Sequence, residues 1–316
     1  MKILLSSILL LSLSFMASAL EANVTDLQKQ TKLDSFCKKI NIKFKQFGWG
    51  KIVCNPQRWT YDSLSVKGEP LIYQSFLNAG ADKPVTLILC TIHGDEYTSP
   101  YLCVRLVRDI IFDNQEKYKN VNVVVAPFVN PDGFLMKKAS RLNANGVDCN
   151  RNFPTKDWDA QALQSWKAKF KKDPRRFPGK VAGSEPETQF QMDLIEKFKP
   201  EKIVSIHAPY AFLDYDISGA RTDTLVREVK EVAESMSKQS NNFRLVDFNV
   251  FPGSLGTYAG LDKNIPTFTL ELPKSGSQFG ESYWERFRTS FLYIVNYVFK
   301  NQVADHRVKD QTASTN

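Results

Sequence analysis

Two of the three histidines in the chain, His93 and His207, close runs of apolar residues, and an acid, Glu96, follows the first by three positions. In His93-Gly94-Asp95-Glu96 one tight turn can aim an imidazole and a carboxylate at a single ion, and Gly94 frees the backbone to make that turn. His207 supplies a third ligand. Two histidines and one carboxylate leave a tetrahedral zinc one position for a reacting molecule, and such a zinc brings the pKa of water down to about 7. A lone histidine at a strand end is as readily structural, so the argument rests on the second histidine and the nearby acid.

Hydrolysis also needs a base. Glu271 is a charge inside the apolar run Phe268-Thr-Leu-Glu-Leu272, a placement that packing alone explains poorly. It is the expected general base, with a buried pair to an arginine as the structural alternative. The loop from Arg141 to Phe153 offers two guanidinium forks and several amides around Gly146. Such forks suit carboxylates. Asn150 and Arg151 are expected to clamp a substrate carboxylate and Arg141 to stabilise an oxyanion. A structural turn held by Asp148 and Asn152 is the other reading of the same loop.

Strands must deliver these groups. Residues 70–76 and 84–92 read as strands, the second apolar enough to be buried on both faces and ending at His93. Leu102, Leu106 and Ile110 give residues 99–112 a helical spacing, and 122–128 returns to a strand. Strand, helix, strand predicts a largely parallel α/β sheet. Residues 202–206 and 267–272 add strands, so three site residues fall at strand ends, where open α/β sheets collect ligands. Residues 130–182 read as a long turn-rich region, and Ser184-Glu-Pro-Glu187 as a capping box opening a helix. A short helical pattern spans 26–40.

The 316 residues carry a net charge of +8. An apolar run after Lys2, ending in Ala17-Ser18-Ala19, predicts an export signal over residues 1–19, too short to span a bilayer, and hence no stable membrane anchor after cleavage. An N-terminal extension (20–64), a main domain (65–302) and a polar tail (303–316) follow. The basic cluster from Lys167 to Lys180 lacks the interleaved aromatics of a nucleic-acid platform, so no nucleic acid is expected, and it reads as a solvated loop. Five cysteines leave at least one free thiol in a monomer. Cys37 and Cys54, both in the polar extension, are the expected disulfide.

The segments His93-Gly-Asp-Glu96, Asn150-Arg-Asn-Phe153, Ser205-Ile-His207 and Thr269-Leu-Glu-Leu-Pro273, in this order, resemble the zinc carboxypeptidase family related to carboxypeptidase A, over roughly residues 66–300. The resemblance implies a mixed, mostly parallel eight-stranded sheet flanked by helices and one zinc on His93, Glu96 and His207. It also implies Glu271 and Arg141 as transition-state groups, and Asn150 with Arg151 on the substrate's terminal carboxylate. The stretch Pro252–Gly260 with Ile265-Pro266 is most similar to the branch acting on peptidoglycan stem peptides or muropeptides, at the bond between γ-D-glutamate and meso-diaminopimelate. Gly256 and Tyr258 would then line the specificity pocket. Asn249 stands where digestive members carry a tyrosine, so the substrate end is handled differently. Export would place such an enzyme in the periplasm or outside the cell. A general protein carboxypeptidase, a deacylase of small N-acyl amino acids and an inactive wall-binding module are the competing readings.

Overall fold

The structure is a computed structural model that describes residues 26–300, apart from 51, 79, 81–82 and 220–222. The expected export signal and polar tail lie outside the described residues. Seven strands form one sheet: β1 (Thr60–Leu64), β2 (Pro70–Leu77), β3 (Val85–Cys90), β4 (Asn122–Ala126), β5 (Lys202–His207), β6 (Phe212–Asp216) and β7 (Thr267–Glu271). Their spatial order is β1-β2-β4-β3-β5-β7-β6. The four central strands run parallel, while β1, β2 and β6 add antiparallel edges.

Alternation along each strand divides the core between the two sheet faces. Ile88, Val123, Val125, Val204 and Phe268 face helices 26–46, Thr98–Arg108, Thr224–Gln239 and Gly280–Asn296. Leu87, Leu89, Val124 and Ile203 face helix Pro186–Phe198 and the segment around Leu255. The last long helix buries Trp284, Phe287, Phe291, Ile294 and Val295, the three-and-four spacing of one helical stripe. Asp223 caps Thr224–Gln239 by accepting from Leu225 N at 2.7 Å.

The mixed α/β sheet expected from sequence is present, with seven strands among the described residues instead of eight. Beyond β6 the segment around Leu245 makes a single bridge to Leu213. Three residues on, Phe248 N donates to the Asp214 carboxylate at 3.0 Å instead of to a neighbouring strand. The sheet also begins earlier than the boundary at residue 65, because β1 pairs with β2. The preceding helix over 26–46 buries Phe36, Ile40 and Phe44 in the main core.

Three local readings need correction. A helix, Trp158–Ala168, lies inside the region read as turns; only Trp158 and Ala162 are buried on it, too few for a visible period. The capping box does not form. Pro186 begins the helix after Glu185, and Glu187 instead accepts from Val66 N and Asn143 Nδ2. Cys37 and Cys54 are bridged as expected, but a second bridge joins Cys90 to Cys103, leaving buried Cys149 as the free thiol among the described residues. No helix among the described residues is long and apolar enough to cross a membrane.

Candidate active site

The chain turns sharply after β3. Thr91 adopts φ 58° and its hydroxyl donates to Pro127 O at 2.7 Å, while Ser99 Oγ receives Thr91 N. Gly94 is required here by contact and not by a left-handed backbone, since a Cβ would lie 2.3 Å from Gly133 C. The packed turn delivers His93 and Glu96. Because β4 and β5 flank β3 on opposite sides, the carboxyl ends of β3 and β5 border the point where the strand order reverses. His207 closes β5, and Glu271, its register partner on β7, stands beside it.

His93, Glu96 and His207 are buried, with one potential ligand atom from each lying within 4.8 Å of the others. His93 Nδ1 lies 2.7 Å from Glu96 Oε1, and His207 Nδ1 lies 3.1 Å from Glu96 Oε2 and 3.0 Å from His93 Nδ1. The outer ring nitrogens are already held: His93 Nε2 is 3.2 Å from Asp148 Oδ1 and His207 Nε2 is 2.9 Å from Ser205 Oγ. That is the arrangement by which outer partners orient metal-ligating imidazoles. The nitrogen and oxygen donors, and their convergence, fit zinc. Burial opposes the charge on Glu96, but His93 and His207 outweigh it and hold the carboxyl below the ordinary carboxylate range.

Glu271 lies in a different state. Burial, then the charge of Glu96, pushes its pKa up to about 8, and its Oε2 is buried without a hydrogen-bond partner. Among the described residues no arginine pairs with it, so the structural alternative from sequence is not found there. Arg141 extends a fork to Asp148, with Nε at 3.0 Å and Nη2 at 2.9 Å from Oδ2, and its Nη1 reaches 3.1 Å from His93 Nδ1. Asp148 therefore buttresses both a metal-site histidine and Arg141. Burial raises the Asp148 carboxyl, but Arg141 and His93 hold it well below its usual range.

His93, His207, Glu271 and Arg141 line one cavity of about 330 Å³ together with Asn150, Arg151, Gly256 and Asn249. A larger cavity, about 780 Å³ between Cys54–Trp59 and Val104–Phe112, holds none of them. Asn150 Oδ1 accepts from Leu255 N at 2.8 Å, which ties the loop to the segment below it. Arg151 lies over the Phe251 ring at 4.4 Å, its Nε is buried without a partner, and burial lowers its pKa to about 10. Tyr258 is not at the cavity: its ring stacks on Phe153 at 5.1 Å in the core below. Asn152 holds the loop through Pro178 O and Val181 O, as the structural-turn reading expects of that residue.

Sequence reasoning missed several groups. Phe170 and Arg176, from the segment read as a solvated loop, line the cavity, and Arg175 Nη2 reaches Asp95 at 2.9 Å. The loop is held down because Trp166 packs on Phe177 at 5.0 Å and donates to Asp173 O. Asp214 and Asp216 also line the cavity. Their only sequence signal was two acids alternating with Leu213 and Tyr215, the period of a strand.

The zinc carboxypeptidase profile matches residues 54–297. Murein peptide amidase A of Escherichia coli K12 is 32% identical over 215 residues, covering 67% of this chain and 80% of that protein. The same enzyme of Vibrio campbellii is 32% identical over 213 residues, covering 66% and 77%. The crystal structure of murein-tripeptide amidase from Escherichia coli O157 superimposes with a TM-score of 0.52 at 26% identity, covering 77% of this chain and 93% of that one. The matched span carries both histidines, Glu96 and Glu271, and with that agreement the chain belongs to the zinc carboxypeptidase family, a family of hydrolytic metalloenzymes.

Proposed function

We propose that this enzyme hydrolyses peptidoglycan stem peptides at the amide between γ-D-glutamate and meso-diaminopimelate, after export directed by residues 1–19. The observation that carries the reading is that Glu271, with an unpartnered buried oxygen, shares one cavity with His93 and His207 and with Arg151, whose Nε is also unpartnered. The likeness to murein peptide amidases supplies the substrate class.

Zinc held by His93, Glu96 and His207 would supply Lewis acidity toward the scissile carbonyl and the attacking water. Glu271, whose Oε2 is buried without a partner, takes the proton from that water and passes it to the departing amine. Arg141, fixed by its fork on Asp148, points Nη1 at the His93–Glu96 pair, from where it faces the oxygen on which charge develops. Asn150 and Arg151 hold the carboxylate of the leaving residue, and the fixed guanidinium fork sets its direction.

Purified protein incubated with muropeptides bearing tri- and tetrapeptide stems, with and without a zinc chelator, tests the reading by product mass. Chelator-sensitive release of diaminopimelate from the tripeptide is expected. A zinc-loaded protein that leaves both stems intact while trimming ordinary C-terminal residues would place it instead with general carboxypeptidases.

A further inference from the structure

The larger cavity, away from the catalytic groups, lies between two walls that are each pinned in place. On one side Cys54 is bridged to Cys37, and Asn41 holds its backbone twice, with Nδ2 donating to Cys54 O at 3.0 Å and Oδ1 accepting from Cys54 N at 2.8 Å. Asn55 Oδ1 accepts from Gln57 N at 3.1 Å and closes the turn Pro56–Arg58. On the other side helix Thr98–Arg108 is tied to β3 by the Cys90–Cys103 bridge. Just beyond it Asp109 accepts from Asn114 Nδ2 at 2.7 Å and from the Tyr118 hydroxyl at 2.9 Å. Walls fixed separately do not relax onto each other, so about 780 Å³ between them stays open. That lies within the range of about 300–1,000 Å³ of small-molecule sites.

The lining is apolar with two unmatched polar groups. Ile52, Val104 and Val107 are buried against the cavity, and Phe112 is exposed beside it. Trp59, 6% exposed, lines it too, and its indole Nε1 is buried with no acceptor among the described residues. Buried indole N–H groups ordinarily find a partner. The adjacent Arg58 lies over the Phe112 ring at 4.4 Å and has no ion pair or side-chain hydrogen bond among the described residues. Arg108, the other cation on the lining, is matched by Asp113, Nε to Oδ2 at 3.9 Å, and no acid lines the cavity among the described residues. An unmatched cation next to an unmatched donor, both facing an apolar space, calls for an anion with two oxygens on an apolar body.

We propose that this cavity binds a free, unbranched aliphatic carboxylate, its oxygens received by Trp59 Nε1 and Arg58 and its chain laid along Val104 and Val107. A planar carboxylate matches the guanidinium fork. Removing the chain from water drives its entry. Because Nε1 is buried, the head group must itself enter the protein. A bare carboxylate does so, whereas the phosphodiester of a membrane lipid would bring its substituents with it. The site is separate from the hydrolase reading, since none of the metal-site or substrate-binding residues lines it.

Calorimetric titration of the zinc-loaded protein with decanoate, decanol and butyrate, each kept below its aggregation concentration, separates head from chain. Decanoate is expected to saturate at one per chain, with decanol at least about tenfold weaker and butyrate undetectable. Arg58→Gln is expected to weaken decanoate about tenfold while changing decanol by less than about threefold. Ile111→Trp, at a half-buried position of the wall, fills the space and is expected to weaken both. Decanoate should also shift the indole N–H resonance of Trp59 in proton NMR spectra, assigned through Trp59→Phe. Equal affinity for decanoate and decanol, or undiminished decanoate binding in either Arg58→Gln or Ile111→Trp, would overturn the proposal. So would a Trp59 resonance that stays in place while decanoate binds, because the ligand then sits elsewhere, the zinc cavity included. Absence of saturable binding overturns it outright, and retention on anionic phospholipid vesicles in that case would assign the face to a membrane.

Discussion

His93 and His207 turn their Nδ1 atoms toward each other at 3.0 Å, each with its outer nitrogen engaged elsewhere. Two ring nitrogens so placed cannot both present lone pairs without a cation or proton between them. Removing zinc with a chelator should therefore abolish hydrolysis, and restoring it should raise the melting temperature, by the equivalent of about 2.7 kcal/mol at a hundredfold excess over Kd. Elemental analysis should find one zinc per chain. Undiminished turnover by metal-free protein would contradict the assignment.

Asp148 joins His93 to Arg141, and all three are largely withdrawn from solvent. Asp148→Asn keeps the shape but not the charge, so zinc affinity should fall about 10–100-fold, as measured by competition with a chromogenic chelator. Asp148→Ala leaves Arg141 without its partner and should cost about 3–5 kcal/mol in urea unfolding. Unchanged affinity in the asparagine variant would reduce Asp148 to a turn residue.

Glu271→Gln should lower kcat by about 10²–10⁴ while the zinc content stays the same. Removing a buried acid that has an unpartnered oxygen should at the same time leave the melting temperature unchanged or higher. Near-normal kcat would assign the proton transfer to another group.

Stability should depend on pH through the acids of β6. Burial raises Asp214 from its ordinary 3.8 to about 6, so between those values the native state keeps a proton that the unfolded chain has released. Stability then falls as pH rises through that window, by on the order of 3 kcal/mol for this group, and Asp216 acts in the same direction. Asp214→Asn retains an oxygen for Phe248 N, should flatten the pH profile between 4 and 6, and should raise the melting temperature at pH 7 by roughly 5 °C. A profile unaltered by the substitution would mean that Asp214 is solvated in solution.

The reach of the sequence follows from how each residue signals itself. His93, His207 and Glu271 stood out because polar groups interrupting or ending apolar strands have few packing explanations, and the structure brings all three together. Asp148 was hidden because an aspartate near asparagines and a glycine reads first as a turn former, and it is one: its Oδ1 also accepts from Asn150 N. Tyr258 was misplaced because a helix-like segment beside the pocket turns some side chains inward and others, like this one, into the core. Strand β6 was missed because its charged positions face a cavity, an environment that an apolar-and-polar alternation does not separate from solvent.

The Cys90–Cys103 bridge has a topological consequence. It joins the end of β3 to the middle of the following helix, so His93 and Glu96 both lie within the loop it closes. A loop of that size restricts the unfolded chain by about 3 kcal/mol in the chain-entropy account. Once oxidised, the polypeptide carries two of its three metal-site side chains inside a small covalent ring before the sheet has formed, and only His207 must still be brought in from a distance.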